Sequence, residues 1–231
     1  EHFGVEITKD KLAEAIKLHN ETRRLQQEIY EMQKGEEVYL TGLELLMVML
    51  AGVSLPRPEY NKMMKDLIAA LKANGPRIKP KVRLLYTGGH ADNPEFFDLL
   101  QQNDAHVVSD NTGFGTRAAD VLIREDGDPL EAIIDYYFEE KPAATRQMGT
   151  QVERMERLLD LVKQYKADGV VASRLYMCDL WAFEHFLMRK RLHENNVPFL
   201  ELEVDYTPEG QGQIKTRVQA FVESLADRQT A

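Results

Sequence analysis

Over the first eighty positions apolar residues recur at helical spacing. Leu12, Ile16, Leu25, Ile29 and Met32 share a helix that Thr8 can cap and that ends near Gly35. Thr41 followed by Glu44 forms a capping-box pattern ahead of the apolar run at 45–50. Pro56 and Pro58 break the chain before a third helix with Met63, Met64, Leu67, Ile68 and Leu71 as its stripe, and Asn74-Gly75-Pro76 closes it.

From Lys79 the period changes. Short apolar runs at 82–86, 106–109, 169–172 and 199–204 have the length of buried strands. Between and after them lie helical stretches: one from Asn93-Pro94, one from Asp128-Pro129, and one to Lys166 behind a second capping-box pattern (Thr150, Glu153). Two more follow at 180–194 and about 213–225. Strands alternating with helices predict an α/β fold, Rossmann-like, with a mostly parallel sheet of about four strands and helices on both faces. The expected division is a helical segment over 1–78 and the α/β domain over 79–231.

The charge balance, 29 Lys and Arg against 38 Asp and Glu, argues against a nucleic-acid partner. The longest apolar stretch, 43–53, contains Glu44 and is too short for a membrane span. The single cysteine, Cys178, excludes an internal disulfide framework and a complete all-cysteine metal site. A cytoplasmic location is expected. The start Glu1-His2-Phe3-Gly4 has no signal-peptide pattern and no initiator Met, as in a trimmed chain or excised fragment.

Parallel sheets bind ligands beyond the carboxyl ends of their strands. Four segments there are rich in glycine, polar or ionisable residues: 87–92, 110–117, 173–179 and 205–213. The second, with Gly113 and Gly115, can present backbone amides to an anion with Arg117 as counter-charge, or can be a turn that needs two glycines. It matches neither the Walker pattern nor the dinucleotide fingerprint. Cys178, with Asp179 as a possible cap of the next helix, is either a ligating thiolate favoured by the helix dipole or a small packed hydrophobe. Glu201, Glu203 and Asp205 fall on one face of a strand, lining a cleft or marking a half-exposed edge. Arg117, Ser173 and Asp205 are the candidate substrate-binding residues, and Arg117, Cys178 and Asp205 are expected around one concave site. His185 and His193 lie two turns apart, a spacing that suits surface positions better than a metal site. Trp181 and Phe183 suit the core or an interface.

The combined pattern resembles the 2-hydroxyacyl-CoA dehydratase and benzoyl-CoA reductase family. It rests on Asp168-Gly169-Val170-Val171, then Met177-Cys178-Asp179-Leu180-Trp181-Ala182-Phe183-Glu184, then the stretches 197–206 and 210–221. Leu18-His19-Asn20 with Arg23-Arg24, and Leu50-Ala51-Gly52, extend it upstream, so it covers nearly the whole chain. The resemblance implies the carboxy-terminal part of one subunit of a heterodimeric iron–sulfur enzyme acting on CoA thioesters. An ATP-dependent activator supplies a low-potential electron. In the dehydratases this electron forms a ketyl radical from the thioester; in the reductases it enters an aromatic thioester. Carried onto this chain, Cys178 is the last cysteine ligand of a [4Fe-4S] cluster.

The chain departs from that pattern at two places within its length, and the family's amino-terminal domain, with its own cysteines, is expected to lie outside it. Gly113 lies where relatives often carry cysteine, and Ala143-Ala144 where some carry Cys-Pro. One thiolate cannot hold a four-iron cluster, so no cluster is expected to bind stably to this chain alone. It is expected to be a fragment of a complete subunit, or a cluster-free, non-catalytic partner subunit or CoA-binding module of the same fold.

Overall fold

The computed structural model describes residues 4–89, 93–101, 105–205 and 211–230. Three helices come first: α1 (Lys9–Glu31), α2 (Gly42–Ser54) and α3 (Arg57–Asn74). Thr8 Oγ1 accepts the Lys11 amide at the start of α1. The capping box of α2 forms in full, with Thr41 and Glu44 satisfying each other's amides. The break expected at the prolines lies between Ser54 and Arg57: Pro56 is the N-cap of α3 and Pro58 lies in its first turn, where a missing N–H costs nothing. The buried face of α3 is Tyr60, Asn61, Met64 and Ile68, while Met63 is exposed.

The α/β part follows as β1 (Val82–Gly88), α4 (Pro94–Leu100), β2 (Ala105–Asn111), α5 (Thr116–Ala119), α6 (Pro129–Asp135), a π-turn (Tyr136–Glu140), α7 (Gln151–Gln164), β3 (Gly169–Leu175), α8 (Asp179–Glu194), β4 (Phe199–Val204) and α9 (Gln211–Thr230). The strands form one sheet in the order β2-β1-β3-β4, with every pair parallel. Three strands run past their expected ends. Thr87, Ser109, Asp110, Asn111 and Ser173 are polar, yet all are buried within strands. The second expected capping box does not form. Thr150 makes no cap hydrogen bond; its hydroxyl donates to the Gln147 carbonyl and accepts from Arg154.

Alternation along the strands separates two cores. Val82, Leu84 and Tyr86 of β1, Val171 of β3, and Leu200, Leu202 and Val204 of β4 pack with Phe96, Phe97 and Leu100 of α4 and Val218, Val222 and Leu225 of α9. On the other face Leu85, Val108, Val170 and Ala172 meet residues of α1, α3, α7 and α8. The amino-terminal helices therefore pack on the sheet as one of its two covering layers. Helix α2 gives Leu45 and Met49 to one core and Leu46 to the other. It approaches β2 closely because Gly42 has no side chain: a Cβ there would lie 2.6 Å from Val107 Cβ.

Candidate functional site

The strand order reverses at β1. The chain leaves β1 for β2 on one side and returns to β3 on the other, so the carboxyl ends of β1 and β3 form a topological switch point. Glycine lines it. A Cβ on Gly88 would lie 2.5 Å from the Ser173 carbonyl oxygen, and one on Gly89 would collide with the Trp181 indole. The Gly89 amide donates to that same carbonyl at 3.3 Å. From β3 the chain passes Tyr176 and Met177, both exposed, to Cys178, the N-cap of α8. Met177 holds a left-handed φ of 62°. Cys178, not Asp179, occupies the N-cap position, with no capping hydrogen bond from its side chain; it is a free thiol, half-buried against the core.

Ser173 is not a loop residue. Its hydroxyl is fully buried and bonded to the Tyr86 hydroxyl at 2.5 Å beneath the sheet. Asp205 follows β4 directly and is exposed. Arg117 lies beyond β2, in α5. With β1 and β3 between β2 and β4, and about 4.8 Å per strand, the two ends are roughly 14 Å apart. Arg117 and Asp205 therefore share the carboxyl rim but stand at its opposite ends, with Cys178 between them. Residues 90–92 and 206–210 of the expected loops lie outside the described residues.

The segment at 110–117 folds around a buried carboxylate. Asp110 accepts from the Tyr30 hydroxyl at 2.5 Å, from the Thr112 amide at 2.8 Å and from the Thr112 hydroxyl at 2.7 Å. The Gly115 amide donates to Thr112 Oγ1 at 3.0 Å, and any side chain on Gly115 would overlap the Asp110 carboxylate. Two of the amides expected to face an anion are thus bonded internally. Burial, then the charge of Asp110, raises the Tyr30 pKa well above its ordinary value, so the phenol stays a donor.

Cations surround this knot. Arg157 reaches Asn111 Oδ1, Thr116 Oγ1 and Asp120. Arg154 forms two parallel 2.8 Å bonds to Glu184 of α8, with both partners buried. Arg154 Nη1 also donates to the Gln147 carbonyl at 3.1 Å. This bidentate pair ties α7 to the helix that begins at Cys178. Arg117 is held below its ordinary pKa by burial and then by Arg157.

A second polar region runs along β4, in a groove of about 810 Å³ whose lining includes Arg174, Arg189, Glu201, Glu203 and Arg217. Glu203 pairs with Arg174 and Glu201 with Arg189. Burial raises the Glu201 pKa, but Arg189 and His185 pull it below the usual range. His185 is completely buried, not at the surface, with Nδ1 3.5 Å from Glu201 Oε1. Its ring is enclosed by Trp181 and Phe199, which explains the burial that lowers its pKa. Trp181 is buried and Phe183 is exposed.

Comparison with known proteins decides the family. The family model described as 2-hydroxyglutaryl-CoA dehydratase, D-component, matches residues 1–225. The chain belongs to this dehydratase family. A protein of Escherichia coli (strain K12) named as a dehydratase subunit, YjiM, is 28% identical over 97% of this chain and 60% of its own length. The (R)-phenyllactyl-CoA dehydratase beta subunit of Clostridium sporogenes is 24% identical over 96% of this chain and 59% of its own. A benzoyl-CoA reductase subunit of Thauera aromatica is 24% identical over 97% of this chain and 59% of its own. The chain thus spans about three fifths of these relatives, two of which are named as subunits of a phenyllactyl-CoA dehydratase and a benzoyl-CoA reductase.

The donors present in this dehydratase-family chain do not by themselves fit a [4Fe-4S] cluster. Cys178 is the only thiol, and among the described residues no group of three or more His, Cys, Asp or Glu could hold a metal ion. The two positions that depart from the resemblance lie against the arginines. A Cβ on Gly113 would stand 3.4 Å from Arg117 Nη2, and the Ala144 carbonyl accepts from Arg154 at 3.5 Å. No described helix is long and apolar enough to cross a membrane.

Sequence reasoning missed Tyr30, Arg154, Arg157 and Glu184. A signal existed: Arg154 and Glu184 each occupy a position on the apolar stripe of their helix, beside Leu158 and Met188 respectively. A charge in such a position implies a buried partner.

Proposed function

We propose that this chain works in the cytoplasm as the carboxy-terminal part of a subunit of an iron–sulfur enzyme that acts on acyl-CoA thioesters. The reaction class is 2-hydroxyacyl-CoA dehydration or aromatic acyl-CoA reduction. The observation that carries the reading is the place of Cys178. It is half-buried at the amino-terminal end of α8, on the sheet rim beside the switch-point glycines. There it supplies one thiolate ligand to a cluster whose other ligands come from residues beyond those of this chain. The enzyme is completed by a homologous second subunit, and an ATP-dependent activator delivers the electron.

Arg117 and Asp205 mark the two ends of the thioester cleft along the rim. The role of the chain's own residues is positional. The Arg154–Glu184 pair fixes α8, and the close approach of Trp181 to Gly89 fixes the angle at which Cys178 leaves the sheet. The donor set supports a second reading, a cluster-free, non-catalytic partner subunit or CoA-binding module of the same fold. Titration with benzoyl-CoA, a 2-hydroxyacyl-CoA and free CoA tests the shared core of both readings. Saturable binding of a thioester, tighter than that of free CoA, is expected. Absence of thioester binding by the full-length protein with its partner subunit refutes both.

A further inference from the structure

The sheet has two outer strands, and their edges differ. β2 is buried along nearly its whole length, whereas every second residue of β4 is only partly buried or exposed. The main chain of β4 shows which way it points. Pro198 and Val204 turn their carbonyls to β3, accepting from the Val170 and Tyr176 amides at 2.9 Å each. In a parallel ladder the N–H and C=O of one residue face the same side, and the side alternates along the strand. Phe199, Glu201 and Glu203 therefore direct their amides and carbonyls away from β3, to the free edge. The Glu201 carbonyl bears this out: it accepts from Arg217 Nη2 of α9 at 2.7 Å.

This edge lines the groove of about 810 Å³ along β4. Arg189 and His193 of α8 line the same groove, as do Arg217 and Arg228 of α9, with residues 196–201 and Glu203 of the edge between them. Leu200, Leu202 and Val204 pack towards α9 while Glu201 reaches α8, so the two helices stand on opposite faces of the strand. The groove thus has the position of a fifth strand. Its charge is not balanced. Four arginines line it against two carboxylates, and Glu203 is answered by Arg174 and Glu201 by Arg189. Arg217 and Arg228 are exposed, and among the described residues neither forms an ion pair. They lie three turns apart on one side of α9, roughly 16 Å, which is the span of about five strand residues.

We propose that the β4 edge is a docking site for an extended acidic segment of a partner protein, which adds to the sheet as a fifth strand. Its main chain pairs with Phe199, Glu201 and Glu203. Two of its carboxylates, about four or six residues apart so that both fall on the α9 side, meet Arg217 and Arg228. Arg217 leaves the Glu201 carbonyl, a solvent-exposed bond, to take the first of them. A second copy of this chain fits poorly, because a two-fold pairing of β4 with itself brings two sets of unanswered arginines together. The inference does not rest on the thioester reading.

Fluorescence anisotropy of a labelled peptide, Thr-Thr-Glu-Val-Thr-Thr-Glu-Val, titrated with the full-length protein at fixed ionic strength tests it. Saturable binding is expected. It should weaken roughly tenfold or more when both glutamates become lysine, and by a similar factor when proline at the two central positions removes main-chain donors. Bound peptide should slow exchange of the Phe199, Glu201 and Glu203 amides, read residue by residue. Arg217→Glu with Arg228→Glu, both at exposed positions, should reverse the preference in favour of the lysine peptide. No saturable binding of the glutamate peptide overturns the proposal. Undiminished binding of the proline peptide does so too, since charge attraction alone would then be at work. Slow exchange of the three amides before any peptide is added overturns it by showing the edge already covered. An unchanged preference in the folded double variant removes the role of the two arginines and overturns it as well. None of these results depends on thioester binding.

Discussion

Arg154 joins α7 to α8 through a carboxylate that has no other escape from the core. Replacing Arg154 with Met leaves Glu184, 3% exposed in its side chain, charged and unpaired. Breaking a buried pair in this way costs about 3–5 kcal/mol. In a chain of this size each kcal/mol moves the melting temperature by about 2–4 °C, so a fall of roughly 6–20 °C is expected. Removing both charges behaves differently. Arg154→Met with Glu184→Leu fills similar volume without a stranded ion and should recover at least about 2 kcal/mol relative to the sum of the single changes. Urea unfolding of the wild type, both single variants and the double variant gives the coupling energy directly. A cost below about 1 kcal/mol for Arg154→Met, or additive single effects, would refute the reasoning that this pair holds α8 in place.

Other substitutions test the remaining parts. Gly115→Ala places a methyl group on the Asp110 carboxylate and should cost about 1–3 kcal/mol in urea unfolding, with wild-type stability counting against the knot. Leu85→Ala, at a fully buried position in the central strand, should cost about 2–5 kcal/mol by the same measurement. Burial holds the His185 pKa below its ordinary 6.5, so the unfolded chain takes up that proton more readily. The stability this gives is present above pH 6.5 and is lost as pH falls from there through the folded value. His185→Phe should therefore melt with a flatter pH dependence than wild type below pH 6.5, and an unchanged slope would contradict the assignment.

Much of the fold was legible because its signals are local. Thr8, the Thr41–Glu44 box and the glycine after Asn74 mark helix ends through their own backbone bonds. The strand starting at Phe199 is bounded by Pro198 and alternates correctly to its end at Val204. Signals failed where long-range partners decided the outcome. The polar ends of β1, β2 and β3 looked like loops because nothing nearby in sequence shows that Asp110 meets Tyr30, or that Ser173 meets Tyr86. The Thr150 box failed for the same kind of reason, since Arg154 takes the hydroxyl that would cap the helix. His185 and His193, treated alike by spacing, differ because only His185 faces Trp181 and Phe199. At the site, Cys178 and its helix start were readable from strand–helix order. Arg117 was readable too, but Tyr30, Arg154 and Arg157 were not, because α1, α5 and α7 converge only in three dimensions.

The most direct test of the proposed function is iron and acid-labile sulfide content of the full-length protein purified anaerobically with its partner subunit, wild type against Cys178→Ser. Serine is slightly smaller and well suited to the N-cap position, so circular dichroism should not change, but its hydroxyl is a poor ligand for iron–sulfur clusters. The expected result is loss of the iron and sulfide assigned to this subunit, with the fold intact. Wild-type iron and sulfide in the folded variant would contradict the account and leave Cys178 as a packed core thiol.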